Sequence, residues 1–540
     1  MPLPRRPYGW QECRLRNVVA PKAFGGGAPG PLPRIASMRL DELVAEAGVA
    51  RVVGDGRVEV VDLAYDSRRV GPGTLFFCVP GGKVDGHEFA AGAVEAGAVG
   101  LVVERELELG VAQVVVEDAR VAMASLAARF WGDPTSALKV VGITGTNGKT
   151  TTAFLVREIL EAAGTSCGLL GTVKQVVGGV EEEVERTTPE AIDLQATFRR
   201  MLESGDRVCA MEVSSHALAL HRADSIHFEA AIFTNLTQDH LDFHGDMEDY
   251  FKSKRLLFEM EAGASIVNID DPYGRRLAEE FECTTFSVEG AEADYTVRDV
   301  RFDSGGAEFT VTLPMGRKPV YISGNRPAGR EIAVRTSLPG HFNVANALGA
   351  FAVARALGVD PGAAAAGLAR AGRVPGRFEP VDEGQSFAVL VDYAHTPDSL
   401  ENVLRAARRL TEGRVISVFG AGGDRDRDKR PKMGRAGAEL SDLAVVTSDN
   451  PRSEDPGAIV GEVLAGIENR AGVEVEVDRR AAIALALGRA RAGDTVVIAG
   501  KGHEQGQEFE DGRKIPFDDR EVAAEELRRI ATTGPQQARK

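Results

Sequence analysis

A β-branched run, Val140-Val141-Gly142-Ile143-Thr144, breaks into the turn Gly145-Thr146-Asn147-Gly148-Lys149-Thr150-Thr151. An apolar-periodic segment then opens at once with Phe154, Val156, Ile159 and Leu160, and it stops at Gly164. That order predicts a strand, a phosphate-holding loop and a helix. Backbone N–H groups and the positive end of a helix attract oxyanions, so Gly145, Thr146, Asn147, Gly148, Thr150 and Thr151 form the candidate cradle. Lys149 would neutralise the terminal phosphates, and a Thr hydroxyl of this loop would reach a Mg²⁺ ion. The usual pattern sets its first glycine further upstream, at the place held here by Ile143, so this loop is a shortened form. A glycine-rich turn that binds nothing is the bland alternative. Strand, glycines, lysine and helix falling in sequence argue against it.

At 540 residues the chain is too long for one core, and roughly three or four domains are expected. A net charge of −16 argues against a surface devoted to nucleic acid, although a local loop can still hold an anion. No apolar run is long enough to span a bilayer, so no membrane insertion is expected. Cys13, Cys78, Cys167, Cys209 and Cys283 are odd in number and scattered. They read as small buried hydrophobes of a reducing, cytoplasmic compartment and not as disulfides or a metal site.

Residues 1–37 carry six Lys/Arg against Glu12 alone, are rich in Pro and Gly, and show no periodicity. They read as a disordered extension or a start codon placed ahead of Met38, with an organelle-targeting segment as the lesser option. Residues 38–138 are expected to form a small α/β domain, with a helix from Met38, strands at Val58–Leu63, Leu75–Val79 and Val99–Val103, and a helix at Ala90–Gly97. Its turns Asp66-Ser67-Arg68 and Gly81–Gly86 are ligand candidates or plain connections. Residues 139–373 carry the phosphate loop. There Val208–Val213 reads as a buried strand whose Glu212, at the carboxyl end, is placed to hold Mg²⁺. The strand Ala230–Thr234 runs into Asp239-His240-Leu241-Asp242, a loop rich in possible ligands. Ser265–Asp270 is a further strand, and 284–335 suggest antiparallel strands extending the sheet. Asn343 and Asn346 open an Ala-rich helix, where they cap it or touch an adenine edge.

From 374 to 540 the α/β alternation restarts, with strands at Phe387–Val391, Val415–Phe419, Leu443–Thr447, Val473–Val477 and Thr495–Ala499. This alternation predicts a doubly wound parallel sheet with function in the loops leaving its carboxyl edge. Those loops are Asp392–Pro397, Gly420–Asp426, Ser448–Arg452 and Gly500–Glu504, read together as one cleft.

With these motifs in hand, the chain resembles the Mur ligase family of ATP-dependent amino-acid ligases. The match runs from about Met38 to the last helix. It is carried by Gly145–Thr151, Glu212–His216, Thr234–Leu236 with Asp239–Asp242, Gly340–Asn343 with Asn346, Gly376–Glu379, Asp392–Pro397 and Asp449–Arg452. The resemblance implies three α/β domains: a small N-terminal one for a UDP-linked substrate, a central ATPase and a C-terminal Rossmann-like domain for the incoming amino acid. It implies that ATP, with Mg²⁺, activates the D-glutamyl carboxylate of UDP-N-acetylmuramoyl-L-alanyl-D-glutamate as an acyl phosphate. The amine of meso-diaminopimelate, or alternatively of L-lysine, then attacks. Lys149, Glu212, His240, Lys254, Arg377 and Asp392 are the implied catalytic set, with Asn343 and Asn346 beside ATP. Lys254, which alone reads as a solvated surface lysine, is marked as carbamylated by CO₂ and as a metal ligand with Thr150, Glu212 and His240. Tyr65, Ser67, the Gly82–Val84 turn, Thr187, Thr188, Ser214 and Arg222 are implied for the nucleotide-sugar dipeptide. Leu220 replaces a glutamine of some relatives and is left out. Arg425, Asp449, Asn450, Pro451, Arg452, Gly500 and Glu504 are implied for diaminopimelate, whose extra carboxylate suits the planar Arg452 guanidinium. Small molecules are the expected partners, with the protein working as a monomer in cell-wall precursor synthesis.

Overall fold

In the computed structural model the described residues run from Ser37 to Thr533, apart from 46–50, 82–83, 185, 304 and 315–330. Among the described residues three β-sheets of five or more strands follow one another along the chain, beside two two-stranded ones. The first has the order Arg51–Val53, Ala112–Val115, Ala98–Val103, Thr74–Phe77, Asp62–Ala64. Its pairs are parallel except the first. The helix Ala119–Phe130 covers it, started by Asp118, whose carboxylate accepts the N–H groups of Arg120 and Val121. Ala119, Met123 and Leu126 of this helix share a core with Ile192 and Ala196 of the next layer.

Two elements of this first layer depart from the expectation. Met38–Arg39 is a short strand paired with Glu59–Val60, and the helix begins only at Leu40. The anticipated strand Val58–Leu63 splits into Glu59–Val60 and Asp62–Ala64, which join different sheets. The split falls at Val61, whose N–H turns away to the Gly73 carbonyl at 2.9 Å and whose side chain stays exposed.

The central sheet sets Lys139–Thr144 between Val208–Glu212 and Phe228–Phe233, all parallel. Cys167–Leu170 extends it on one side, followed by the antiparallel hairpin Gln175–Val177/Val180–Glu182. On the other side Ser265–Asn268, Thr284–Ser287 and Tyr295–Asp303 continue the parallel order. Antiparallel pairing begins only with Gly306–Thr312 and Glu331–Thr336, so the expected antiparallel extension starts later than 284. Alternation sends Val141 and Ile143 into a core with Val156 and Ile159 of the helix Lys149–Ala162 and with Ala347 and Phe351 of the helix His341–Ala356. Val140 joins the opposite core with Phe198, Phe251 and Leu257. A strand buried on both faces needs apolar residues at nearly every position, which is how this one reads.

The third sheet has the order Glu379–Pro380, Ala388–Asp392, Thr495–Ala499, Val415–Phe419, Leu443–Val446, Val473–Val475. All pairs but the first are parallel, so the strands deliver their carboxyl ends to one edge. Among the described residues no helix is long and apolar enough to cross a membrane.

Candidate active site

The phosphate loop is fixed by what its glycines permit. Gly145 and Gly148 have φ of 150° and 87°. A Cβ at Gly145 would lie 1.9 Å from Thr234 Oγ1, and one at Gly148 2.3 Å from Asn346 Oδ1. The segment after the neighbouring strand cradles the turn. Thr146 N–H donates to the Asn235 carbonyl at 2.8 Å, Asn147 N–H to Asn235 Oδ1 at 2.9 Å, and Thr234 Oγ1 to the Asn147 carbonyl at 2.7 Å. The shortened loop therefore has side-chain support from an adjacent strand end. Lys149 Nζ donates to the carbonyls of Gly145 and Thr146 at 2.9 and 2.8 Å. Burial lowers its pKa.

Glu212 ends its strand inside the same cleft and is buried. Its carboxylate accepts from Thr150 Oγ1 at 3.0 Å, Thr172 N–H at 2.7 Å and Thr172 Oγ1 at 3.1 Å. Arg377, from the start of the C-terminal layer, donates from Nη2 to Thr150 Oγ1 at 2.9 Å and stacks over Tyr393 at 4.4 Å. Asp392 accepts the N–H groups of Phe378 and Ala394 at 2.7 and 2.8 Å, which fixes the backbone beside Arg377. Burial raises its carboxyl. A hydroxyl and a carboxylate in contact form a hard oxygen pair of the kind Mg²⁺ takes, so Thr150 and Glu212 fit that ion.

Lys254 is not on the surface. It is 1 % exposed, donates to the Gly145 carbonyl at 2.8 Å and lies 4.6 Å from the centre of the Tyr250 ring. Burial, then the charge of Lys149, push its pKa well down. A neutral amine is the form that attacks CO₂, so this environment suits carbamylation. His240 is held in the left-handed region, with φ 55°, and its Nε2 lies 3.4 Å from the Asp239 carboxylate. Burial brings its imidazole down to about 3, which keeps a lone pair free for a metal. Among the described residues no three or more His, Cys, Asp or Glu converge as a metal cluster.

The two asparagines do not cap their helix, which starts at Gly340 without a side-chain cap. Asn343 Nδ2 donates to the Pro339 carbonyl at 2.8 Å, and Asn346 Nδ2 to Asn343 Oδ1 at 3.2 Å. Asn346 thus faces Gly148 with Asn343 behind it. Lys149, Thr150, Glu212, His240, Asn346 and Arg377 line one cavity of about 500 Å³.

Of the residues expected around the nucleotide-sugar dipeptide, Thr187, Thr188, Ser214 and Arg222 gather beside Glu212. Thr187 Oγ1 meets Thr172 Oγ1 at 3.0 Å, while Thr188 Oγ1 donates to the Glu212 carbonyl at 2.9 Å and accepts Ser214 N–H at 3.1 Å. Ser214 also starts the helix Ser215–Ala219 by accepting Ala217 N–H at 3.2 Å. Arg222 Nη1 reaches the Thr188 carbonyl at 3.3 Å and Nη2 the Glu190 carboxylate at 2.9 Å. Glu190 also takes Arg120 at 3.3 Å and Arg186 at 2.8 Å, a grouping no motif announced. Tyr65 joins this region through its hydroxyl, 2.9 Å from Asp193 Oδ2, and Ser67 opens a short turn capped by Asp66. Of the Gly82–Val84 turn, Gly82 and Lys83 lie outside the described residues.

The loops expected to receive the amino acid interlock at the carboxyl edge of the third sheet. Asn450 Oδ1 accepts Lys501 Nζ at 2.6 Å and Glu508 N–H at 3.0 Å, and its Nδ2 donates to Glu504 at 2.9 Å. Arg452, at φ 50°, donates to Glu508 at 2.9 Å and to the Gly423 carbonyl at 2.8 Å. Burial alone would raise the Asp449 carboxyl, but Lys501 and Arg479 outweigh it and hold it below its usual range. Gly500 has φ 125°, and a Cβ there would come within 2.3 Å of Asp449 Oδ2. Pro451 turns its carbonyl onto Gly423, where a Cβ would meet it at 1.9 Å. Arg425 is exposed and donates to its neighbour's carbonyl at 2.9 Å. Lys501, Glu508 and Arg479 were missed from sequence. Lys501 sits in the loop Gly500–Glu504 read as part of the cleft but was not singled out, whereas Glu508 and Arg479 carry no such signal.

Residues 143–354 match the Mur ligase middle domain, 376–502 the Mur ligase glutamate ligase domain and 59–131 the Mur ligase family catalytic domain. The UDP-N-acetylmuramoyl-L-alanyl-D-glutamate–2,6-diaminopimelate ligase of Syntrophomonas wolfei is 45% identical over 501 residues, covering 91% of this chain and 99% of its own. The protein of the same name from Streptomyces coelicolor is 46% identical over 517 residues, 93% of this chain and 99% of its own. A solved structure of a UDP-N-acetylmuramoyl-L-alanyl-D-glutamate–2,6-diaminopimelate ligase superposes with a TM-score of 0.64 at 30% identity, covering 92% of this chain and 100% of that one.

Proposed function

Because the chain belongs to the Mur ligase family, we propose that it joins meso-2,6-diaminopimelate to the D-glutamyl group of UDP-N-acetylmuramoyl-L-alanyl-D-glutamate at the expense of ATP. Residues 38–138 would hold the UDP end, 139–373 the ATP and 374–540 the amino acid. The observation that carries this reading is the bond from Arg377 to Thr150 at 2.9 Å. It joins the phosphate loop to the first segment of the C-terminal domain, whose Asp392 and Tyr393 line the same cavity, as a transfer from ATP to a carboxylate and on to an amine requires.

The γ-carboxylate of the D-glutamyl group attacks the γ-phosphorus, the bond to the β-phosphate oxygen breaks, and ADP leaves. Lys149, the backbone N–H groups of Gly148–Thr151 and Arg377 spread the negative charge that builds on the phosphoryl oxygens. Thr150 and Glu212, with His240 and a carbamylated Lys254, would hold Mg²⁺, which supplies Lewis-acid charge at the phosphates. The amine of diaminopimelate then attacks the acyl carbon, loses a proton, and phosphate departs from the tetrahedral intermediate. Asp392 keeps the Arg377 backbone in place, and closure of the cleft would exclude water from the anhydride. Asn346 borders the nucleotide. Thr187, Thr188, Ser214 and Arg222 orient the dipeptide, and Tyr65 and Ser67 belong to the uridine end. Arg452 and Arg425 bind the distal carboxylate, Glu504 the distal ammonium, and Asp449, Asn450, Pro451 and Gly500 shape the pocket. One chain supplies every group, so we infer that it acts as a monomer, in the cytoplasm, within peptidoglycan precursor synthesis.

The test is phosphate release by purified protein with ATP, Mg²⁺, the UDP-linked dipeptide and either meso-diaminopimelate or L-lysine. Release that depends on diaminopimelate and is much weaker with lysine is expected. ATP hydrolysis indifferent to any amino acid would sink the ligase reading, and equal use of lysine would sink the choice of acceptor.

A further inference from the structure

Three consecutive residues of the central layer, Thr237, Gln238 and Asp239, each bond side chains of the C-terminal layer. Thr237 Oγ1 donates to Asp398 Oδ2 at 3.4 Å, and Asn147 of the phosphate loop donates to the same oxygen at 2.8 Å. Gln238 Nε2 donates to Asp426 Oδ2 at 2.9 Å and accepts from Lys432. Asp239 takes Lys429 Nζ at 3.4 Å on one oxygen and lies 3.6 Å from His395 Nε2 on the other.

The Asp239–Lys429 pair stands apart from the other two because it is buried, at 5 % and 4 % exposure. Lys429 is the first residue of its helix, where a cation also opposes the helix dipole. A lysine so placed costs free energy that Asp239 offsets only while the two layers are docked. A buried ion pair of this kind contributes little net stability, since both ions regain water when it opens. It does penalise near-miss arrangements, in which either charge is buried alone. The pair also borders the chemistry, because Asp239 precedes His240 and holds its ring at 3.4 Å.

We propose that Asp239 and Lys429 are positioning residues: their ion pair registers the amino-acid domain against the phosphate loop and, through Asp239, sets His240. The kinetic part of this rests on the ligase reading above, whereas the domain register can be measured without it. Because the pair adds little net stability, the register is reversible and can break with each turnover.

The decisive experiment is small-angle scattering of the whole protein, wild type against Lys429→Met, with ATP and Mg²⁺ present. The radius of gyration of Lys429→Met is expected to rise, and a Lys429→Met protein that scatters as wild type does overturns the proposal whatever its rate. Steady-state kinetics with diaminopimelate should show kcat down by about 10-fold to 100-fold, with KM for ATP changed by no more than about twofold. Lys429→Arg should recover most of the rate. The double variant Asp239→Asn/Lys429→Met should be no worse than the worse single variant, because the two act as one unit. Additive losses would overturn the pairing. Asp398→Ala, at the half-buried edge of the strip, gives a second probe should Lys429→Met not fold. It is expected to expand the protein in the same direction by less, and a compact Asp398→Ala protein with wild-type kcat would overturn the register.

Discussion

The phosphate loop and the amino-acid loops both sit at the carboxyl ends of parallel strands, yet their charges are arranged in opposite ways. In the first, Lys149 and Lys254 donate to main-chain carbonyls, both reaching that of Gly145. In the second, the cations other than Arg425 meet carboxylates: Arg452 meets Glu508, Lys501 meets Glu504, and Arg479 meets Asp519 with both fully buried. Main-chain carbonyls are weak partners for an ammonium, so the first site retains positive potential for a polyanion. The second is internally balanced, as suits a zwitterion that brings charges of both signs and exchanges partners on entry. One site attracts by surplus charge, the other selects by matched charge.

The largest effect is expected where the surplus charge is converted. If Lys254 acts as a carbamate, Lys254→Ala lowers kcat by roughly 10²–10³. Lys254→Arg does no better, because a guanidinium keeps the cation but does not take up CO₂. Intact-mass or crystallographic analysis of the wild type should find the added CO₂. Full activity in Lys254→Ala without CO₂ on the wild type would leave Lys254 as a loop-bracing ammonium, and the contrast between the two sites would then rest on Lys149 alone.

The matched site should yield a smaller and more selective loss. Arg452→Ala removes the planar partner for a second carboxylate and leaves Glu508 without its ion pair. A loss of roughly 2–4 kcal/mol in kcat/KM is expected with diaminopimelate, with little change for lysine. An unchanged ratio of the two acceptors would assign Arg452 to Gly423 and Glu508 only, and specificity to Arg425 or Glu504.

The same contrast explains how much could be read from sequence. The phosphate loop is a local device, with strand, glycines, lysine and helix contiguous, so Gly145–Thr151 was legible in full and its neighbours Glu212 and His240 nearly so. Lys254 was not, because a Lys within Lys252-Ser253-Lys254-Arg255 looks solvated, and only the fold sets it against the Tyr250 ring and the Gly145 carbonyl. The parallel order of the C-terminal strands was legible from their apolar runs. The break at Val61 was not, since a change of sheet leaves no mark on alternation. In the amino-acid loops the residues that touch solvent or ligand were visible as odd polar clusters, while the residues that balance them were hidden. Glu508 and Arg479 lie outside any motif and matter only because the fold brings separate segments together.

The smallest effect concerns pH and separates the two regions in a melting curve. Burial holds the imidazoles of His216 at about 4 and His240 at about 3 near the phosphate loop, and that of His503 at about 3 in the amino-acid domain. An unfolded histidine titrates near 6.5, so between that value and the folded one the unfolded chain binds more protons. The stability from these neutral imidazoles is therefore fully present above about pH 6.5 and is lost as pH falls towards 4 and below. The carboxylates of the matched region behave differently. Arg430 holds Glu454 at about 2, so its contribution begins to fade only below the ordinary glutamate value near 4.3. Melting recorded from pH 7 to pH 5 should thus report the histidines, and His216→Gln should flatten that limb by about 2–4 °C for a domain of this size. His216 is the probe of choice because it lies outside the candidate ligand set, its ring 4.9 Å from that of His240. If His216→Gln melts in parallel with wild type over that interval, its imidazole is as well solvated in the folded protein as in the unfolded chain. The acid sensitivity of the central domain would then have to come from His240 or from carboxylates.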